Sequence, residues 1–377
     1  MTSGHDQLHH FVAAGVWDSV PLEAALLKEA DRLVGDQAGF PVIDDTALPK
    51  KGQHSVGVAP QYASSLDKTS NCQSLVSVTL ASCEVPVMVG LRLFLPKSWT
   101  DDAERMTWAR VPLDRQQALT KPEIAIEEID RVIASGARFG CVLADAGAVY
   151  PERLQGSRRS SSGPFHRALS ERGLLSAVGL SRRQNVYPAD VGLIFLIAKT
   201  SRRRQYQMPD RPPMSTEAML AGQRWGKVSW RRGTKGRLTC LFAARRVRIA
   251  EGHKHRMLDD LMQCMPGDEV WLVGERRSTG EQTLGAAIKA RWICQQAHQQ
   301  LKEELGLDHF EGRSWIGLHR HALMTMIAYA FLQSRRLKAA GRKKKSRRTA
   351  AATEHAGYQA SHTRPVRTTT HPTMPTL

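Results

Sequence analysis

Two short apolar runs that each end in a carboxylate constrain this chain more than any other feature. The first is Phe40-Pro-Val-Ile-Asp-Asp-Thr46 and the second is Phe139-Gly-Cys-Val-Leu-Ala-Asp145. Both read as buried strands, because an apolar run this short, flanked by Gly or Pro, suits a sheet interior better than a helix. Between them lie two β-rich runs, Gln73 to Leu80 and Val85 to Leu95, joined through Ala81-Ser-Cys-Glu84 in a hairpin pattern. A helix follows over Lys121 to Ile133, where Ile124, Ile126, Ile129, Val132 and Ile133 recur at helical spacing behind Pro122. Strand, hairpin, helix and strand in that order predict an α/β chain with one sheet covered by helices.

The remaining segments divide by texture. Residues 1–37 read as a helical N-terminal segment, with Val16, Trp17, Leu22, Ala25, Leu26, Ala30 and Leu33 on one stripe. Residues 38–185 form the first part of the core and end in a helix from Pro164 to Gly173 and a strand from Leu175 to Leu180. Residues 186–283 read as a β-rich insertion, with strands at Val228–Trp230, Leu238–Ala244 and Glu269–Gly274. Residues 284–333 return to helix, first Ala286–Leu305 and then His319–Leu332. From Ser334 the composition changes: nine Lys/Arg fall within 335–348, then Thr, Ala, His and Pro dominate to residue 377. So little apolar content cannot offset ordering entropy, and a disordered basic tail is expected there.

Charge narrows the partners. Fifty-four Lys and Arg against thirty-six Asp and Glu leave a net +18, an excess that suits a polyanion. Nucleic acid is the expected partner, and no apolar run approaches the ~18 residues a bilayer crossing needs. Met1 to His10 lacks a basic segment leading into an apolar one, so no secretory signal is expected and the chain is placed in the cytoplasm, beside the nucleoid. Cys72, Cys83, Cys141, Cys240, Cys264 and Cys294 are scattered without a C-x-x-C pair, and reduced, mostly buried thiols are expected rather than a zinc site.

Two strand ends carrying aspartates, with a charged position on a late helix, match the needs of phosphodiester chemistry. Such chemistry commonly uses two divalent ions about 3.5–4 Å apart, one at the attacking oxygen and one at the leaving oxygen. Hard Mg²⁺ or Mn²⁺ ions take carboxylate oxygens. Asp45 and Asp145 fit that role, although an aspartate at a strand end also serves simply to start a turn or cap a helix. Asp44 points to the opposite face of the strand from Asp45, so only one of the pair can face the metals.

Beyond these spacings, Val42-Ile-Asp-Asp-Thr46, Pro49-Lys-Lys-Gly52, His54-Ser-Val-Gly57, Gln61-Tyr62, Asn71-Cys-Gln73 and Arg92-Leu-Phe-Leu-Pro96 resemble the first catalytic block of DDE-type insertion-sequence transposases. Val142-Leu-Ala-Asp-Ala-Gly147 resembles the second block. Arg291-Trp292 and the run Gln299 to Trp315 resemble the third, and Trp230-Arg-Arg-Gly-Thr-Lys-Gly236 falls in the family's β-rich insertion. The likeness runs from about residue 10 to 335. It implies an RNase H-like mixed five-stranded sheet flanked by helices, with the β-rich insertion before the last catalytic helix. It also implies DNA transposition with Mg²⁺ (Mn²⁺ as substitute), element ends and target DNA as partners, and a homodimer that pairs the ends. Asp45 and Asp145 are then metal ligands, and the third block's Arg, Glu and Lys positions fall at Arg291, Gln295 and Lys302.

Position 295 is the consequential departure, since a glutamine stands where the family has glutamate. At ~4 Å and an effective dielectric near 20, one unit-charge interaction is about 4 kcal/mol. That is roughly three orders of magnitude in rate at about 1.4 kcal/mol per decade. Glu303 and Glu304 lie ~12 Å further along the helix at about 1.5 Å per residue and do not substitute. The residues after Gly147, the short link between Glu281 and Ala286 and the brief N-terminal segment depart as well. Together these imply a degenerate copy, or a remnant that binds element ends without cutting. Arg291 and Lys302 resemble phosphate-contacting residues or are solvated charges, and Trp315 either stacks on an unpaired base or belongs to the core. Arg342, Lys343, Lys344 and Lys345 supply sequence-independent phosphate affinity or a merely solvated tail, and His298, His319 and His321 are assigned core or surface roles.

Overall fold

In the computed structural model of the protein, the first apolar run forms the central strand β1 (Phe40–Pro49), buried along nearly its whole length. The structure describes residues 15–63, 66, 68–82, 85–144, 163–179, 182–197, 205–233, 236–256, 262–276 and 282–355. A strand covered on both faces needs apolar residues at consecutive positions rather than alternate ones, which is how Phe40-Pro-Val-Ile43 reads. The chain divides into two compact units, residues 1–333 and 334–377.

Around β1, the first unit builds a mixed sheet of six strands. β2 (Ala59–Ala63) and β4 (Pro86–Phe94) pair antiparallel with the long β3 (Lys68–Ala81), which pairs antiparallel with β1. On its other edge β1 pairs in parallel with β5 (Val142–Ala144), and β5 in parallel with β6 (Ser176–Val178). The order β4–β3–β1–β5–β6, antiparallel on one side and parallel on the other, is that of an RNase H-like sheet. The sixth strand, β2, is an addition to the five expected. It is five residues long, carries Pro60 and alternates buried with exposed side chains, as befits an edge.

Helices cover both faces. α1 (Val20–Val34) lies against β3 and β4, followed in sequence by the short α2 (Lys97–Thr100) and α3 (Ala103–Trp108). α4 (Lys121–Ala134) packs on β3 and β4; its start is fixed by a capping box in which Thr120 and Glu123 satisfy each other's backbone N–H groups. α5 (Gly163–Glu171) follows at the expected place. β7 (Asn185–Pro188), β10 (Met214–Ser215), β11 (Gly226–Gly233), β12 (Gly236–Arg256) and β13 (Met262–Arg276) form a second sheet, and β8 (Leu193–Ile197) pairs with β9 (Gln205–Pro209). These strands and α6 (Thr216–Ala221) occupy the stretch that composition marks as β-rich. α7 (Gln282–Glu303) then returns across β1, β3, β4 and β5. The last helix, α8 (Trp315–His355), runs on through the basic stretch, where disorder was expected from Ser334. Lys, Arg and Ala are strong helix formers and no proline interrupts them, so helix persists where a packed core is not needed. Residues 356–377 lie outside the described residues.

Under α1 and α4 sits a buried ionic cluster. Glu128 on α4 accepts from Arg92 Nε at 2.6 Å and from Arg131 Nη2 at 2.7 Å. Arg92 also donates to Glu23 on α1 at 2.6 Å, and Arg131 to the carbonyl of Val89 at 2.7 Å. Burial alone would raise the Glu128 carboxyl, but the Arg92 and Arg131 charges outweigh it and hold it below the usual carboxylate range. Gly90 gives the cluster its room, since a Cβ there would meet Glu128 Oε2 at 2.4 Å. Removing one member of such a cluster leaves uncompensated buried charge. Glu128→Gln is therefore expected to cost about 3 kcal/mol in denaturant unfolding, more than Glu29→Gln on the exposed side of α1.

Beside this cluster His319 of α8 is pinned in one tautomer. Its Nε2 accepts from the Leu93 N–H at 3.4 Å, so Nδ1 carries the proton shared with the Trp315 carbonyl at 2.9 Å. Desolvation, with the Arg92 charge, lowers its pKa to about 4. An unfolded histidine takes up its proton near pH 6.5, so the unfolded state binds more protons between these values. Stability should hold above about pH 6.5 and decline toward pH 4, and His319→Gln should flatten that slope in pH-dependent melting.

Candidate metal and nucleic-acid site

The pleat of β1 sends its two adjacent aspartates to opposite faces of the sheet. Asp44 stands opposite Ser77 of β3, and Asp45 opposite Val76, which in turn pairs with Arg92 of β4. The face of Asp44, Ser77 and Thr79 is covered by α7, while that of Asp45, Val76 and Arg92 is covered by α4. Each carboxylate therefore meets a different set of neighbours.

Asp45 is paired with the first residue of α4. Lys121 Nζ donates to Asp45 Oδ2 at 2.8 Å, with the lysine side chain 6% and the aspartate side chain 15% exposed. Asp45 stays near the edge of solvent, whereas Lys121 is committed to it. The Asp45 backbone N–H donates to Asp44 Oδ1 at 2.8 Å.

α7 forms because Gln282 to Glu303 holds no proline and is rich in Ala and Gln; it ends before Gly306 at φ +68°, a left-handed position that favours glycine. Its residues 294, 298 and 302, four apart, lie on one stripe along β1. Cys294 Sγ donates to Thr79 Oγ1 at 3.2 Å, and His298 Nε2 lies 2.8 Å from Ser77 Oγ with Nδ1 3.8 Å from Asp44 Oδ2. Lys302 Nζ donates to the Ala47 carbonyl at 2.9 Å. Burial, followed by the Lys302 charge, lowers the His298 pKa to about 3, so the imidazole is neutral. Burial also lowers the Lys302 ammonium, against the pull of Asp308, Asp45 and Asp44.

Several quoted motif residues prove to be tethers. Lys50 is buried and donates to the carbonyl of Asp308 at 3.2 Å and to that of Phe310, tying the exit of β1 to the segment after α7. Asn71 Nδ2 donates to the carbonyls of Lys50 and Gly52. Gln61 and Gln73 donate to the carbonyls of Cys72 and Val56.

Of the candidate residues, Lys302 of α7 meets the β1 backbone at Ala47, two positions beyond Asp45, while Asp45 itself is paired with Lys121 of α4. Gln295 has an exposed side chain, one position on from the buried Cys294. Arg291 lies within α7, and Arg342, Lys343, Lys344 and Lys345 lie within α8 in the second unit; their side chains are outside the described residues. Asp145 also falls outside them. Trp315 opens α8 half-buried, its ring 4.2 Å from that of His319. His298 is a buried histidine as expected, but it shares its pocket with Asp44 and Cys294, a grouping that scattered cysteines gave no reason to expect. The Cys-x-x-x-His spacing on a helix that must cover an aspartate-bearing strand is the signal that could have found it. Lys121 left no such signal, since a lysine at a helix start is ordinary.

Residues 1–237 match the DDE superfamily endonuclease family. A probable transposase for insertion sequence element IS701, from Microchaete diplosiphon, is 27% identical over 139 residues. That similarity covers 37% of this chain and about a third (33%) of the relative's length. The family match ends before α7, so Gln295 and Lys302 lie beyond it.

Breaking the Asp45–Lys121 pair from the lysine side leaves a largely buried carboxylate without its cation. Lys121→Met should therefore destabilise the fold by about 3 kcal/mol in urea titration, with Lys97→Met as the exposed control.

Proposed function

The chain belongs to the DDE superfamily of endonucleases, and we propose that it is the protein of an insertion sequence, cleaving DNA at the element's ends and joining the freed 3′-hydroxyl to target DNA. One observation carries this reading: an aspartate on the central strand of an RNase H-like sheet, its carboxylate near the solvent edge. Asp45 and Asp145 are the residues that would hold a divalent ion, Mg²⁺ or Mn²⁺ in its place, which when bound supplies Lewis acidity to phosphodiester oxygens. Asp45 fits that task in its chemistry: a hard oxygen donor near the solvent edge, at present neutralised by an ammonium group. Lys121 must release Asp45 before a metal takes its place.

The chain's own residues position DNA and shape its field. Arg291, Lys302 and the basic residues Arg342, Lys343, Lys344 and Lys345 bind phosphates, and the net charge of +18 draws the duplex in. Trp315 serves as a stacking surface for an unpaired base. Two copies pair the two element ends. Among the described residues no helix is long and apolar enough to cross a membrane.

Gln295 weakens the third position, because an amide brings no charge to a site that holds divalent cations. With Asp45 held by Lys121, this favours a second reading: a protein that occupies element ends without cutting them. Supercoiled DNA carrying the flanking ends, with Mg²⁺ and then Mn²⁺, separates the two. Gln295→Glu should nick the ends at least ~100-fold faster than the natural protein, within the roughly thousandfold ceiling of one full charge. Equal nicking by both, abolished by Asp145→Asn, would show that another group serves as third ligand. If neither cuts but both shift end-bearing DNA in salt-dependent binding, the non-cleaving reading stands.

A further inference from the structure

The pocket between β1, β3 and α7 joins a carboxylate, a thiol and an imidazole that the DNA chemistry does not use. Asp44, Cys294 and His298 are all buried, and one ligand atom of each lies within 4.8 Å of the other two. Cys294 and His298 are four apart on α7 and so project from the same side of the helix, onto the strand face that carries Asp44.

The hydrogen bonds around the pocket determine which atoms face inward. The Ser77 hydroxyl donates its single proton to the Asp44 carbonyl at 3.1 Å. Its oxygen is therefore the acceptor in the 2.8 Å contact with His298, and Nε2 carries the imidazole proton. That leaves a lone pair on Nδ1, and Nδ1 faces Asp44 Oδ2 at 3.8 Å. The Ser77 contact also supplies what a metal-bound histidine generally has: a partner on the far nitrogen that fixes ring and tautomer.

We propose that Asp44, Cys294 and His298 form a binding site for a borderline transition-metal ion of the Zn²⁺ type, separate from the Asp45 face of the same strand. Thiolate and imidazole select Zn²⁺ or Co²⁺ over Mg²⁺. The ion displaces the thiol proton of Cys294 to solvent and forms a metal–sulfur bond, and the Thr79 hydroxyl, which now accepts from that thiol, turns to donate to the thiolate. Two negative ligands neutralise the dication, so the bound site is uncharged and compatible with burial. Tetrahedral coordination with bonds of about 2.0–2.3 Å places ligand atoms roughly 3.5 Å apart, so the pocket closes by about an ångström. Three protein ligands leave one position open. Bound metal pins α7 to β1 and thereby fixes the height at which Lys302 and Gln295 stand along the strand.

The full chain, stripped of metal, is titrated with Co²⁺ and its absorption followed. Expected are saturation near one equivalent and an intense thiolate-to-cobalt band, displaced by Zn²⁺ and untouched by excess Mg²⁺. Cys294→Ser should lose the band while Cys72→Ser keeps it. His298→Gln, which retains the thiol, should bind Co²⁺ at least tenfold more weakly, and it decides the matter should Cys294→Ser not fold. Zn²⁺ should also raise the melting temperature of the natural protein and not of His298→Gln. No band in the natural protein, a band that survives Cys294→Ser, or unchanged affinity in His298→Gln overturns the proposal.

Discussion

Two neighbouring carboxylates on a strand buried from both sides impose the central physical constraint on this molecule. The pleat places them on opposite faces, so one counter-charge cannot serve both. Asp45 is met by the ammonium of Lys121 from α4, while Asp44 lies under α7, whose His298 bonds to the neighbouring Ser77. Each covering helix is thus anchored to β1 by a polar contact as well as by apolar packing. Val42 and Ile43, fully buried just before the aspartates, fix the strand's height between the two helices.

The same logic extends outward along the sheet. Arg92, two strands from Asp45 on the same face, is matched by Glu128 and Glu23, so α1 and α4 share a second ionic tie. On the α7 face the polar row is neutral or hydrogen-bonded: Ser77 and Thr79 answer His298 and Cys294. Satisfied networks of this kind specify a single arrangement, because sliding α7 by one turn would separate every one of these pairs. Position along α7 is therefore as closely set as strand register, and it governs where the third-block residues stand.

Much of this architecture was legible in the amino-acid sequence. The buried strands, the Lys121–Ile133 helix behind Pro122, the hairpin and the return to helix near residue 284 follow from periodicity and composition. The relation of Asp44 to Asp45 followed from strand geometry, but not which helix would cover which side. What remained hidden depends on residues far apart in the chain. Arg92 and Glu128 are 36 positions apart and Arg92 and Glu23 are 69, and charge alone does not identify such partners. Lys121 likewise looked like an ordinary helix start, and Cys294 an isolated thiol. β2 escaped notice because five residues with a proline give little periodic signal. The helix through the basic stretch ran past Ser334 because propensity sustained it without a core.

The distance in sequence between β1 and α7 has a consequence for how the protein is made. Lys302 meets Ala47 across 255 positions, with the whole second sheet synthesised between them. At ~5–20 residues per second, β1 leaves the ribosome on the order of 10–50 s before the helix that covers it. For that interval the Asp44 side of the nascent sheet has apolar Val42 beside a carboxylate and no cover. The carboxylate then acts as a gatekeeper, a charge within an exposed β-rich run that discourages pairing with another chain. An aspartate that is buried under α7 in the finished protein thus guards the unfinished one.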